Sequence, residues 1–184
     1  MGVPLPLVVV ATDRELCAVD GARTLCCGIG PVEATLTTSR ALAEEKASAV
    51  LHVGIAGARQ LAPGAVVIGS KSIYCDVLDA HSTLPRIAEL EPSQTLVDLA
   101  RVAFPNAVSA PIATAARVGG GAGYPVEAME GFGVLRAAAA SNVPAVEIRV
   151  ISNDPADADR RVWKIEDALE VVHHVIRTLV AAMT

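Results

Sequence analysis

Aromatic residues are scarce in this chain, with two Phe, two Tyr and one Trp among 184 residues, and lysine occurs only three times. A nucleic-acid groove needs basic residues interleaved with aromatics. The formal net charge of -5 and the absence of any such block exclude nucleic acid as a partner. No apolar run approaches the roughly 18 residues that a bilayer span requires, because Gly, Pro or a charge interrupts each one. No membrane association is expected. The opening MGVPLPLVVV has no basic flank and leads into ATDRE without a small-residue cleavage site, so the expectation is a cytoplasmic protein without a signal peptide.

Several chemistries are also missing their residues. Cys17, Cys26, Cys27 and Cys75 have neither zinc-site nor C-x-x-C spacing, and they read as small buried hydrophobes. His52, His81, His173 and His174 have no carboxylates at metal-ligand spacing, so no metal is expected. No G-x-S-x-G elbow is present, which argues against a covalent nucleophile. GIGPVEA lacks the third glycine of a dinucleotide fingerprint, and GGGAG at 119–123 lacks the P-loop lysine. The first reads as a tight turn whose amides could meet an anion, the second as a connector or lid. No cofactor is expected.

What the chain does have is apolar substance. It is 52% hydrophobic and 19% charged, a balance that excludes disorder, and its length suits one domain burying about 70% of its unfolded surface. PLPLVVVAT, TLCCGIG, SAVLHVGIAG, GAVVIGSKSIYCDVL, NAVSAPIATA and PAVEIRVISN read as extended segments, rich in β-branched residues and bounded by turn formers. Pro31 opens a helix to about Ser48 with Val32, Leu36, Ala43 and Ala47 on one face. Residues 79–91 read as a loop. Ser93 starts a short helix through Leu96, Val97 and Ala100, and EAMEGFGVLRAAAASN favours another. Ile165, Leu169, Val172, Ile176, Leu179 and Met183 form the stripe of a final amphipathic helix that packs across the sheet. Strands alternating with helices predict a single three-layer α/β domain over residues 1–184, a mixed central β-sheet flanked by helices.

In such sheets ligands gather at the carboxyl ends of strands. That singles out Glu15, Gly28–Gly30, Gly54–Gly57 and Ser152–Asn153. Glu130 stands in an apolar segment, where a carboxylate is costly unless it is paired, hydrogen-bonded or facing a cleft; a solvated helix position is the competing reading. Asn153 could equally terminate a strand as a turn residue.

VVVATDREL, GIGPVEAT, VLHVGIAGARQLAPGAVVIGS, and AMEGFG followed by VPAVEIRVISN, in this order and spacing, resemble the nucleoside phosphorylase and nucleosidase superfamily. Within it, MEGFG, ISN rather than ISD, and RRVWKIEDAL are most similar to the futalosine hydrolases, nucleosidases of menaquinone biosynthesis. The resemblance implies a nucleoside phosphorylase-like fold, no cofactor, a purine nucleoside and water as reactants, and a homodimer or larger homo-oligomer. It places Glu15 as the carboxylate that activates water, Met129 and Glu130 at the ribose, Ser152 and Asn153 at the purine, and Ala56 and Gly57 in the glycine loop lining sugar and base. The stretch between Ala110 and Glu127 is shorter than in typical members, which carry a base-stacking aromatic there, leaving Phe132 or Tyr124 as its substitute.

The chemistry fits these residue types. N-glycosidic cleavage develops positive charge at C1′ and negative charge on the purine, and a carboxylate can take the proton of an attacking water. An asparagine cannot protonate the base as an aspartic acid can, which favours a 6-oxopurine leaving group. ATDREL lacks the phosphate-loop pattern of phosphorylases, so hydrolysis is expected. Methylthioadenosine/adenosylhomocysteine nucleosidase and purine nucleoside phosphorylase are the alternative activities, and a non-catalytic nucleoside-binding protein is the alternative of another class.

Overall fold

The computed structural model describes residues 4–77, 86–121 and 123–183. Eight strands join one mixed sheet: β1 (Leu7–Val10), β2 (Arg23–Cys26), β3 (Val50–Ala58), β4 (Val66–Tyr74), β5 (Glu89–Leu90), β6 (Val108–Thr114), β7 (Val126–Ala128) and β8 (Ala145–Asn153). Four α-helices accompany them: α1 (Pro31–Glu44), α2 (Gln94–Ala103), α3 (Gly131–Ala140) and α4 (Ile165–Met183). The strand order is β2-β1-β3-β7-β6-β4-β5, and β8 pairs with both β3 and β4. Because β3, β8, β4, β6 and β7 each pair with the next and β7 returns to β3, this part of the sheet closes on itself. Ala56, Ala58, Val67, Ile112, Val126 and Ile151 form one apolar cluster within these strands.

Alternation along the strands sorts the core into layers. On β1, Val8 and Val10 pack with Leu96 and Val97 of α2 and with Val172, Ile176 and Leu179 of α4. Leu7 and Val9 pack with Ala34 and Leu42 of α1 and with Val134, Leu135 and Ala138 of α3. β1, β3 and β8 run parallel, so their carboxyl ends share one edge. This is the three-layer α/β architecture that strand–helix alternation predicts.

Five local expectations are corrected. Val32 and Leu36 are exposed, and α1 buries Pro31, Ala34, Thr38 and Leu42 instead. Its partner α3 explains this, since a Cβ on Gly133 would lie 2.6 Å from the Pro31 carbonyl oxygen; helices that close need small residues between them. α1 stops at Glu44, so Ala47 lies beyond it. The segment read as one helix from Glu127 begins as strand β7, which pairs with β3 and β6 before α3 starts. Cys17 and Cys26 are only partly buried, while Cys27 and Cys75 are buried. Within the stretch read as a loop, Glu89–Leu90 forms β5, and residues 79–85, His81 included, lie outside the described residues.

Leu179 of α4 is fully buried, whereas Val102 of α2 is 84% exposed. Leu179→Ala should therefore lower unfolding free energy by about 2–5 kcal/mol, and Val102→Ser should stay within about 0.5 kcal/mol of the parent. Denaturant titration of the two variants checks both.

Candidate active site

A cleft of about 300 Å³ opens at the shared strand edge. Glu15, Ala56, Gly57, Met129, Glu130, Ser152 and Asn153 all line it. Phe132 does not. As the second residue of α3 it donates its N–H to Thr114 Oγ1 at 2.9 Å, and its ring stacks on Tyr74 with centroids 5.2 Å apart, in a separate groove beside Val32 and Leu36. Tyr124 packs instead against Ile73, Cys75, Ala113 and Ala115.

The turn after β1 folds the Glu15 carboxylate back onto its own backbone. Oε2 accepts from the N–H groups of Ala11 at 3.1 Å and Thr12 at 2.9 Å and from the Thr12 hydroxyl at 3.1 Å. Oε1 accepts from the Ile55 N–H of β3 at 3.0 Å. These donors saturate Oε2 and leave a lone pair on Oε1, which lies against Gly54. A Cβ at Gly54 would stand 2.7 Å from that oxygen and 2.6 Å from Arg149 Nη1, so only glycine lets both groups meet there.

Glu130 precedes α3, whose N-terminal dipole favours an anion. Its Oε1 accepts from Gly30 N–H at the start of α1 at 3.1 Å, and its Oε2 lies 3.4 Å from Arg149 Nη2. Burial pushes the Glu130 carboxyl above the usual carboxylate range, with Arg149 and the Gly30 N–H working against that rise. Arg149 itself is buried; burial works against its charge, but Glu147, Glu130 and Glu15 outweigh it and hold the guanidinium protonated. His52 is buried beside it. Its Nδ1–H donates to the Val9 carbonyl at 2.9 Å, so Nε2 is free to accept from Arg149 Nη2 at 2.5 Å. Burial first, then Arg149, push the imidazole well below its ordinary value and keep it neutral.

At the end of β8, Ser152 Oγ donates to Asn153 Oδ1 at 2.8 Å. That occupies the carbonyl side of the amide and turns Nδ2 outward as a donor, near Gly57. The following turn carries Trp163 into the cleft lining, pinned by Lys164 N–H on the Ser152 carbonyl at 2.8 Å and by Trp163 Nε1 on the Asp157 carbonyl at 3.2 Å. On the other wall, Glu127 accepts from Gly119 N–H at 2.5 Å and Gly121 N–H at 3.1 Å, gathering the glycine loop that brings Arg117 and Val118 to the cleft. Among the described residues, no group of three or more His, Cys, Asp or Glu is placed to hold a metal ion.

Sequence reasoning missed Trp163 and Glu127. The chain's one Trp lies ten residues beyond the ISN strand end, within RRVWKIEDAL, a signal that was there to read. Nothing local distinguishes Glu127, whose role depends on a loop six to eight residues upstream.

Residues 18–127 match the phosphorylase superfamily. Futalosine hydrolase from Streptomyces coelicolor is 31% identical over 185 aligned residues, covering 87% of this chain and 79% of that protein. The chain belongs to the futalosine hydrolases of the phosphorylase superfamily. Family likeness extends to a shorter match, 45% identity over 60 residues, with the futalosine hydrolase of Acidothermus cellulolyticus, spanning 33% of this chain and 25% of that one. The family fold is equally plain in solved structures. A futalosine hydrolase mutant of Helicobacter pylori aligns with a TM-score of 0.85 at 18% identity over 97% of this chain and 99% of that one. The methylthioadenosine/adenosylhomocysteine nucleosidase of Colwellia psychrerythraea, in complex with adenine, aligns at 0.84 and 19% identity, covering 97% and 96%.

Proposed function

We propose that this protein is a nucleosidase that hydrolyses the N-glycosidic bond of futalosine, releasing hypoxanthine and dehypoxanthine futalosine, and so serves menaquinone biosynthesis in the cytoplasm. The observation that carries the reading is the convergence, in one cleft, of two buried carboxylates and an amide whose carbonyl is already engaged. Glu15 takes the proton of the water that attacks C1′, through the open lone pair of Oε1. Glu130 accepts from the ribose hydroxyls, in charge-assisted hydrogen bonds roughly twice as strong as neutral ones. Asn153 donates Nδ2–H to the departing purine. A 6-oxopurine offers acceptors at O6 and N7, whereas the amino group of adenine meets a donor with a donor. Trp163 supplies the aromatic surface for the base. Supporting the same reading, the 31% identical Streptomyces relative carries this activity as its name.

The protein is further proposed to act as a homodimer or larger. Val32 and Leu36 are 65% and 62% exposed and, with Tyr74 and Phe132, line an apolar groove beside the cleft; a second copy would cover it. Light scattering should return at least twice the mass of one chain at micromolar concentration, with Leu36→Glu shifting it toward one chain. A constant one-chain mass for the parent protein contradicts the assembly.

The activity is tested by incubating the protein with futalosine, inosine, methylthioadenosine and adenosylhomocysteine, with and without phosphate, and measuring free base. Futalosine should be cleaved fastest and without phosphate. A phosphate requirement would indicate a phosphorylase, preference for adenine nucleosides would contradict the Asn153 argument, and binding without turnover would indicate a nucleoside-binding protein. Glu15→Gln should lower kcat by about 10²-fold or more while leaving KM within about threefold, because shape is kept and proton acceptance is lost.

A further inference from the structure

Glu147 lies outside the cleft lining, yet it is among the most deeply buried charges of the described residues, 1% exposed like Arg149. Two residues apart on β8, the two side chains share a strand face. Glu147 Oε1 accepts from Arg149 Nε at 2.9 Å, and Oε2 accepts from Ser72 Oγ of β4 at 3.1 Å. Its third neighbour is the first turn of α3. A Cβ on Gly131 would lie 2.1 Å from both carboxylate oxygens, so the carboxylate fills the space that any other residue at 131 would claim.

Burying an ion costs several kcal/mol even after relaxation, and an apolar side chain would suit this strand as Ile148 and Val150 do. The hydrogen-bond pattern of Arg149 points to what the charge accomplishes. Nε faces Glu147, away from the cleft, while Nη2 faces His52 and Glu130 and Nη1 faces the Ile55 carbonyl at 3.3 Å. The guanidinium is thus anchored by its inner edge and presents its outer edge to the site. The distances differ accordingly: 2.9 Å to Glu147 but 3.4 Å to Glu130.

We propose that Glu147 is a positioning residue for the hydrolysis, which holds Arg149 by Nε and offsets its charge so that Glu130 and Glu15 stay available to ribose and water instead of closing onto the guanidinium as tight ion pairs. This rests on the nucleosidase reading above. Glu130 is faced by Arg149 and Glu147 from β8, by Glu15 from the turn after β1, by the Cys27 thiol after β2, and by the Gly30 N–H of α1; His52 of β3 is neutral and reaches it only through Arg149. Removing the charge of Glu147 while keeping its shape leaves Glu130 with one negative neighbour fewer. Its carboxyl then loses its proton at lower pH.

The test is the pH dependence of base release by Glu147→Gln beside the parent enzyme, on whichever nucleoside the parent cleaves fastest. The expected result is a kcat at least tenfold lower at neutral pH, with the acid limb of kcat/KM moved to lower pH by about half a unit or more. An unchanged kcat and an unchanged acid limb in a folded variant would overturn the proposal, since a merely structural carboxylate would alter the unfolding midpoint alone. Should Glu147→Gln fail to fold, Ser72→Ala removes the hydroxyl that orients Oε2 and keeps every charge. It should lower kcat several-fold without moving the acid limb, and an unchanged kcat there would overturn the proposal equally. Absence of base release by the parent protein would overturn the nucleosidase reading and this proposal with it, an outcome distinct from an active parent with an indifferent Glu147.

Discussion

A guanidinium cut off from water has to be neutralised and fully hydrogen-bonded where it stands, and Arg149 imposes that demand on much of the fold. Its partners come from β8 itself through Glu147, from β3 through His52 and the Ile55 carbonyl, and from the entrance of α3 through Glu130. Removing one partner of a buried ion pair typically costs about 3–5 kcal/mol, because the other charge is left uncompensated. The segments that carry the chemistry are therefore tied by the same interaction that would be most costly to disturb.

The division of labour within the cleft follows from which lone pairs and protons these ties leave open. Glu15 spends Oε2 on the turn after β1 and keeps part of Oε1. Asn153 spends its carbonyl on Ser152 and keeps its N–H donors. Parallel β1, β3 and β8 bring the carriers of both groups to one edge, and β7 delivers Met129 and Glu130 to the same edge by pairing antiparallel with β3. The closed part of the sheet makes this arrangement stiff, which suits a reaction that depends on prepositioned dipoles more than on motion.

Much of this was legible in the residues. Strands such as PLPLVVVAT and PAVEIRVISN declare themselves because both faces are buried, and the α4 stripe because one face is. Glu15, Glu130 and Asn153 were visible through strand ends and motif order. Val32 and Leu36 misled because spacing reveals that an apolar face exists, not which neighbour meets it, and α3 demanded small residues on the opposite side of α1. Phe132 was misplaced for a related reason: one residue beyond the helix start, its direction depends on the turn that Glu130 and Thr114 impose. Glu147 stands in plain view in AVEIRVISN, but its role was hidden because its partners Ser72 and Gly131 are distant in sequence.

Arg149→Lys measures the dependence most directly, because it keeps the charge and removes the fork. A lysine ammonium is a point charge with three donors and cannot serve Glu147, His52, the Ile55 carbonyl and Glu130 together. Base release from futalosine by a folded Arg149→Lys protein should fall by about 10²-fold or more in kcat/KM. A folded variant that retains the parent rate would show that charge alone suffices and would contradict the account.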